Sequence, residues 1–122
     1  MTAGVQTRTL ADRVASAYMA DVSAASSAFA VSLFNGAIIE IWCVRYVAIS
    51  GADSAITVKI NGTLITGATM TLANSGAAAG DVNSCEPTAL NIVKPGDNIE
   101  FITDGASSTT CPTMFYALIR DL

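Results

Sequence analysis

The chain contains no histidine. Its absence excludes Ser-His-Asp and Cys-His nucleophile systems, in which the imidazole is the activating base. It also excludes metal centres built on imidazole ligands. The three cysteines, Cys43, Cys85 and Cys111, show no C-x-x-C spacing, so no zinc site is expected. Three cysteines cannot all pair within one chain. Cys43 and Cys111 sit in strand-like apolar runs, where a free thiol behaves as a small hydrophobe. Reduced thiols are therefore the preferred reading, with a disulfide between two of the three left open.

Charge is scarce as well. Only 13% of residues are charged, about half the usual share, so part of the surface is expected to be covered. The first twenty residues hold Arg8, Asp12 and Arg13 for +1, and the rest hold nine acids and four bases for −5. There is no basic stripe, so no nucleic-acid partner is expected. Two stretches, Val22 to Ile39 and Ile60 to Gly80, lack charge over nearly a membrane span. Both are broken by Asn, Gly, Ser and Thr, so no membrane partner is expected either. "VASAYMA" after Arg13 is too short and weak for a signal peptide.

The remaining chemistry would have to come from carboxylates. Asp81 with Glu86, or Asp97 with Glu100, fall in turns or on outward strand positions, where acids are favoured structurally. No D-x-D-x-D calcium loop exists. The glycine-rich "NSGAAAGDV", Asn74 to Val82, lacks the lysine of a phosphate cradle and ends in Asp81, whose sign would repel phosphate. No catalytic residue, cofactor or metal ligand is expected; the chain reads as a binding protein and not an enzyme.

At 122 residues the sequence fits one domain with a single core. Residues 1–25 stand apart as an Ala/Ser-rich arm. Leu10, Val14 and Tyr18 recur at four-residue spacing there, which places them on one face of a short helix, although an extended segment or a frayed tail fits too. From residue 26 to 122 the period is two. "AFAVSLF" alternates Phe29, Val31 and Leu33 against Ala28, Ala30 and Ser32. "AIIEIWCVRYVAIS" puts Glu40, Trp42, Val44 and Tyr46 on one face and Ile39, Ile41, Cys43 and Arg45 on the other. Neither face is polar, so one is expected on the core and the other against a partner or loop.

Asn61-Gly62 is a hairpin turn, because both of its positions need φ > 0. "TLIT" and "ATMTLA" flank Gly67 as two strands, and "TALNIV", "NIEFIT" and "TMFYALIRDL" follow, with "KPGD" as a tight turn. Eight strands with turns every eight to twelve residues predict an all-β, eight-stranded antiparallel jelly-roll-like sandwich. In it the glycine loop is a compact crossing between sheets. Trp42, Tyr46, Phe115 and Tyr116 fit a core or interface, or less readily a carbohydrate platform.

"INGTLITGATMTLANSGAAAGDV", then "PTALNIVKPGDNIEFITDG" and a last strand ending in Arg120, resembles the capsid decoration (cement or auxiliary) proteins of tailed bacteriophages over about Asp21 to Arg120. The resemblance implies a structural virion protein made in the host cytoplasm and placed on the outer surface of the head. It implies a homotrimer that stabilises the capsid by bridging subunits of the major capsid protein. The arm, through Arg8, Leu10, Arg13, Val14 and Tyr18, is expected at the capsid or an adjacent protomer, and Trp42, Tyr46 and Ala78 at the trimer interface. The alternative is a receptor- or glycan-binding module of a phage head or tail fibre.

Overall fold

Period-two alternation bounded by turn residues leaves the chain one economical way to hide its apolar side chains, between two facing sheets. The computed structural model describes residues 12–122. Arg8 and Leu10 therefore lie outside the described residues. Among these residues there is no helix, and nine strands follow one another: β1 (Asp12–Met19), β2 (Ser26–Val31), β3 (Gly36–Arg45), β4 (Ser54–Ile60), β5 (Thr63–Leu72), β6 (Val82–Cys85), β7 (Ile92–Val93), β8 (Asn98–Thr103) and β9 (Thr113–Arg120).

All pairings are antiparallel. One sheet runs β1-β9-β3-β6 with β7 also on β3, and the other runs β2-β8-β4-β5. These are the interleaved orders of a jelly roll. The core lies between the sheets. Ile38, Ile41, Ile56, Val58, Leu72, Ile99, Phe101, Phe115 and Ile119 are fully buried, each contributing about 1.5–3 kcal/mol of apolar burial. Phe101 of one sheet stacks on Phe115 of the other, with centroids 5.1 Å apart.

Nine strands replace the expected eight through three local differences. Thr63–Leu72 is one strand, not two. It swings away from β4 near Gly67 (φ 81), and Thr66 there bridges to Ala89 instead. β6 grows out of the end of the glycine loop. The third difference is that the N-terminal spacing belongs to an extended segment and not to the helical alternative. Asp12–Met19 is a strand paired with β9 over its whole length, from Asp12↔Arg120 to Met19↔Thr113. Ala15, Ala17 and Met19 point into the core. A spacing of four is compatible with both periods, so Val14 and Tyr18 share a face in a strand as they would in a helix.

Asn61 (φ 49) and Gly62 (φ 84) form the β4–β5 turn with both φ values positive, as a two-residue hairpin requires. The Asn61 side chain also ties this turn to the next one. Its Nδ2 donates to Asp97 Oδ1 at 3.0 Å, and its Oδ1 accepts from the Asn98 amide at 2.8 Å.

Candidate interaction surface

The outer face of the β1-β9-β3-β6 sheet is the most unusual surface of the molecule. Directly opposed residues share a face, so the strand registers build it in rows. Tyr18, Met114, Val44 and Val82 form one row, and Ser16, Tyr116, Trp42 and Ser84 the next. Val14, Leu118 and Glu40 form the third. Eight of these eleven side chains are Val, Leu, Met, Tyr or Trp. With strands about 4.8 Å apart and about 3.4 Å per residue, the face covers on the order of 450 Å².

Its few charges are already engaged. Trp42 Nε1 donates to Glu40 Oε1 at 2.9 Å. Arg120 forms a two-pronged pair with Asp12, donating from Nε and Nη2 at 2.9 Å each. The Arg120 hydrogen bond holds the Asp12 carboxyl below its usual range. The other sheet differs in kind. Its outer face is mixed: Thr57, Thr69, Thr71, Lys59, Asn98 and Glu100 alternate with the exposed Phe29, Val31 and Leu64 at its margins, so its charged and hydroxyl groups break up the apolar area. A partner of the first face meets apolar surface with no unpaired charge, and aromatic side chains of this type commonly anchor interfaces.

The structure gathers Val14, Tyr18 and Trp42 onto this face, Trp42 being 41% exposed. Tyr46 continues the outward alternation one residue past the end of β3 and is also exposed. Arg13 points away from the face, with its guanidinium carbon 4.9 Å from the centre of the Phe34 ring. Ala78 is elsewhere, in the loop between β5 and β6. Sequence reasoning put Val44 on the face of Trp42 but did not assign Val82, Met114 or Leu118 to a surface. The available signal was that "TMFYALIRDL" is apolar at both parities, as β3 is.

The glycine loop crosses from β5 in one sheet to β6 in the other and is held by a buried arginine. Arg45 Nη1 donates to the Ala73 carbonyl at 2.9 Å and Nη2 to Asn83 Oδ1 at 3.2 Å. Nη2 also lies 3.4 Å from Asp81 Oδ2. The Arg45 backbone takes part too, accepting from the Gly80 amide at 2.7 Å and donating to the Asp81 carbonyl at 2.9 Å. The Ala78 amide is spent on Asp81 Oδ2 at 2.8 Å. The amides of Asn74, Ala77, Ala78, Gly80 and Asp81 are therefore already committed to acceptors within the protein.

All three cysteines are free thiols. Burial pushes the Cys43 and Cys85 thiols up to about 11, which leaves them protonated and poor nucleophiles at neutral pH. Among the described residues, no group of three His, Cys, Asp or Glu side chains is placed to hold a metal ion.

No protein-family model matches the chain, and no curated protein matches it. Among solved structures, it is similar to a chain of the cyanophage Pam1 capsid asymmetric unit, with a TM-score of 0.56 and 11% identity. That match covers 100% of this chain and 92% of the other. At this identity the likeness establishes a shared fold. Weaker overlaps, carrying no argument, occur with two further structures. One is an arabinose-bound α-L-arabinofuranosidase (TM-score 0.47, 11% identity, 79% of this chain and 17% of that one). The other is the Agl-KA catalytic domain (TM-score 0.45, 12% identity, 93% and 26%).

Proposed function

We propose that this chain is a structural protein of a phage virion, a capsid decoration protein that acts by binding and not by catalysis. The observation that carries the reading is the apolar, charge-compensated outer face of the β1-β9-β3-β6 sheet. Left in water it is a large apolar patch of the kind that marks a binding surface. Full-length similarity in fold to a chain of a cyanophage capsid supports the setting, as does the order of turn motifs that resembles decoration proteins. In this reading the face docks on the outside of the head, across neighbouring major capsid subunits. Three copies act together, and bound protein stabilises the shell by mass action.

The test uses shells assembled from the major capsid protein of the same phage, mixed with the full chain and sedimented. Wild type is expected in the pellet. Trp42→Ala and Tyr18→Ala each remove an aromatic anchor and are expected to weaken binding by about 30-fold or more. Binding unchanged in both variants would refute the docking face. Binding to host polysaccharide without binding to shells would establish the receptor-binding alternative instead.

A further inference from the structure

The chain contains two Asn-Gly pairs, Asn35-Gly36 and Asn61-Gly62. Glycine has no Cβ to shield its amide nitrogen, so the side-chain amide of a preceding asparagine is open to attack from it. In that reaction the glycine nitrogen bonds to the asparagine Cγ, the Cγ–Nδ2 bond breaks, and ammonia leaves with the former amide hydrogen. Water then opens the cyclic succinimide to aspartate or isoaspartate. Two things are required, a free glycine amide and a side chain free to swing onto it.

The fold withholds a different requirement at each pair. At Asn35-Gly36 it withholds the amide. Gly36 stands opposite Val93, and Ile38, two residues on, donates to the Asn91 carbonyl at 2.8 Å. Hydrogen-bonded positions alternate along an antiparallel pair, so the Gly36 amide is spent on the Val93 carbonyl. At Asn61-Gly62 the amide is bare. Both residues are exposed, the Gly62 amide meets no backbone acceptor among the described residues, and a Cβ on Gly62 would have nothing within 4 Å. Here the side chain is held instead, by Asp97 Oδ1 at one end and the Asn98 amide at the other. A carboxylate on one side and an N–H on the other allow the Asn61 amide a single orientation. Asp97 is fixed in turn, its Oδ2 accepting from the Lys94 amide at 2.8 Å, and the Asn61 amide donates to the Asn98 carbonyl at 2.8 Å. The hydrogen bond from Asn61 holds the Asp97 carboxyl below its usual range, so the acceptor stays ionised at neutral pH.

We propose that Asn61 is a latent deamidation site, kept intact by its clamp to Asp97 and Asn98. While both ends of the side-chain amide are bound, Cγ does not reach the Gly62 nitrogen, so both bonds must open before the ring can close. The change runs one way. The product carries a carboxylate toward Asp97 with no donor between them, and two such like charges repel. Isoaspartate also adds a methylene to the main chain, in a turn whose two positive φ values set the β4–β5 register. In either product the β4–β5 turn and the β7–β8 turn lose their tie. The inference requires no partner and is independent of the capsid reading.

Peptide mapping by mass spectrometry tests it, following conversion of amide to acid at each pair in the full chain held in mildly alkaline buffer. Wild type unfolded in urea is expected to convert Asn35 and Asn61 at similar rates. Folded wild type is expected to convert Asn61 at least about tenfold more slowly, because a hydrogen bond to a charged acceptor must open first. Asp97→Ala removes that acceptor and is expected to restore most of the lost rate at Asn61. Asn35, protected through Val93, is expected to stay slow in the same sample, so it reports whether the variant has loosened as a whole. Far-UV circular dichroism confirms that the variant is folded. A folded wild type that converts Asn61 as fast as the unfolded chain overturns the proposal, as does Asp97→Ala with an unchanged rate at Asn61. Equal acceleration at Asn35 and Asn61 in that variant overturns it too, since general loosening and not the clamp would then set the rate.

Discussion

Removing the Arg45 side chain should unfasten the loop that joins the two sheets. The side chain is 5% exposed and holds three groups, the Ala73 carbonyl, Asn83 Oδ1 and the Asp81 carboxylate. Hydrogen bonds to a charged group contribute about 1.5–3 kcal/mol each. Two effects reduce the total. Asp81 is 34% exposed, so water solvates it once the arginine is gone, and Arg45 Nε has no partner to lose. The expected cost of Arg45→Ala is about 2–4 kcal/mol, within the usual range for breaking a buried charged network.

Arg45→Met keeps the apolar stem and should cost less, about 1–2 kcal/mol. Urea unfolding measures both, and the alanine variant should lower the midpoint by on the order of 1–2 M. Hydrogen exchange at the Ala78 and Gly80 amides should accelerate in parallel, because their acceptors are placed by the same clamp. A loss below about 0.5 kcal/mol with unchanged exchange would refute the assignment of Arg45 as the loop's anchor.

Three further outcomes are expected. Phe115→Ala should cost about 3–5 kcal/mol in urea unfolding, and pairing it with Phe101→Ala should cost less than the sum of the single losses, because the stacked rings are coupled. The contribution of the buried thiols should be constant below pH 9 and fall between pH 9 and about 11, since the folded state keeps Cys43 and Cys85 protonated to about 11 while the unfolded thiols ionise first. Denaturant midpoints against pH should show this fall, Cys43→Ala should reduce it, and Cys43→Ala with Cys85→Ala should flatten it. Gly105→Ala should destabilise by about 1–3 kcal/mol or more in thermal melts, because φ is 70 there and a Cβ would press on the Ala24–Ala25 backbone.

Most of the sandwich was legible because turns announce themselves chemically. Asn61-Gly62 and Pro95-Gly96-Asp97 sit where φ must be positive or fixed, and both are turns in the structure. β1 stayed open between helix and extended segment for a definite reason. Val14 and Tyr18 are four apart, a spacing both periods allow, and the deciding signal was the inward set Ala15, Ala17 and Met19, two of which are too small to register as apolar anchors. β5 was split because Gly67 looked like a turn, whereas the chain only swings aside to meet Ala89. The face of β2 could not be read either. Large alternating side chains suggest the buried face, and the structure buries the alanines.

The interaction surface was half legible. An apolar β3 at both parities signalled a partner, and Trp42 was singled out from it. The rows that join Trp42 to Tyr116, and Tyr18 to Met114, exist only because β9 lies between β1 and β3. That placement depends on pairings about 70 to 110 residues apart, which local pattern does not encode.

The nesting of the strands also favours an order of assembly, by the lengths of chain that each pairing must close. β4 and β5 meet across a two-residue turn, β3 and β6 close around them, β2 and β8 next, and β1 meets β9 last, joining residues 108 positions apart. Each later pairing closes a longer span, and its entropic cost is smaller once the inner strands already hold the ends near one another. The chain is thus arranged to zip outward from Asn61-Gly62, at the slow rates of folds dominated by distant contacts. Until that final strand is laid down, the β9 edge and Met114, Tyr116 and Leu118 beside it stand bare, so the apolar outer face is also where an unfinished molecule is most prone to stick to its neighbours.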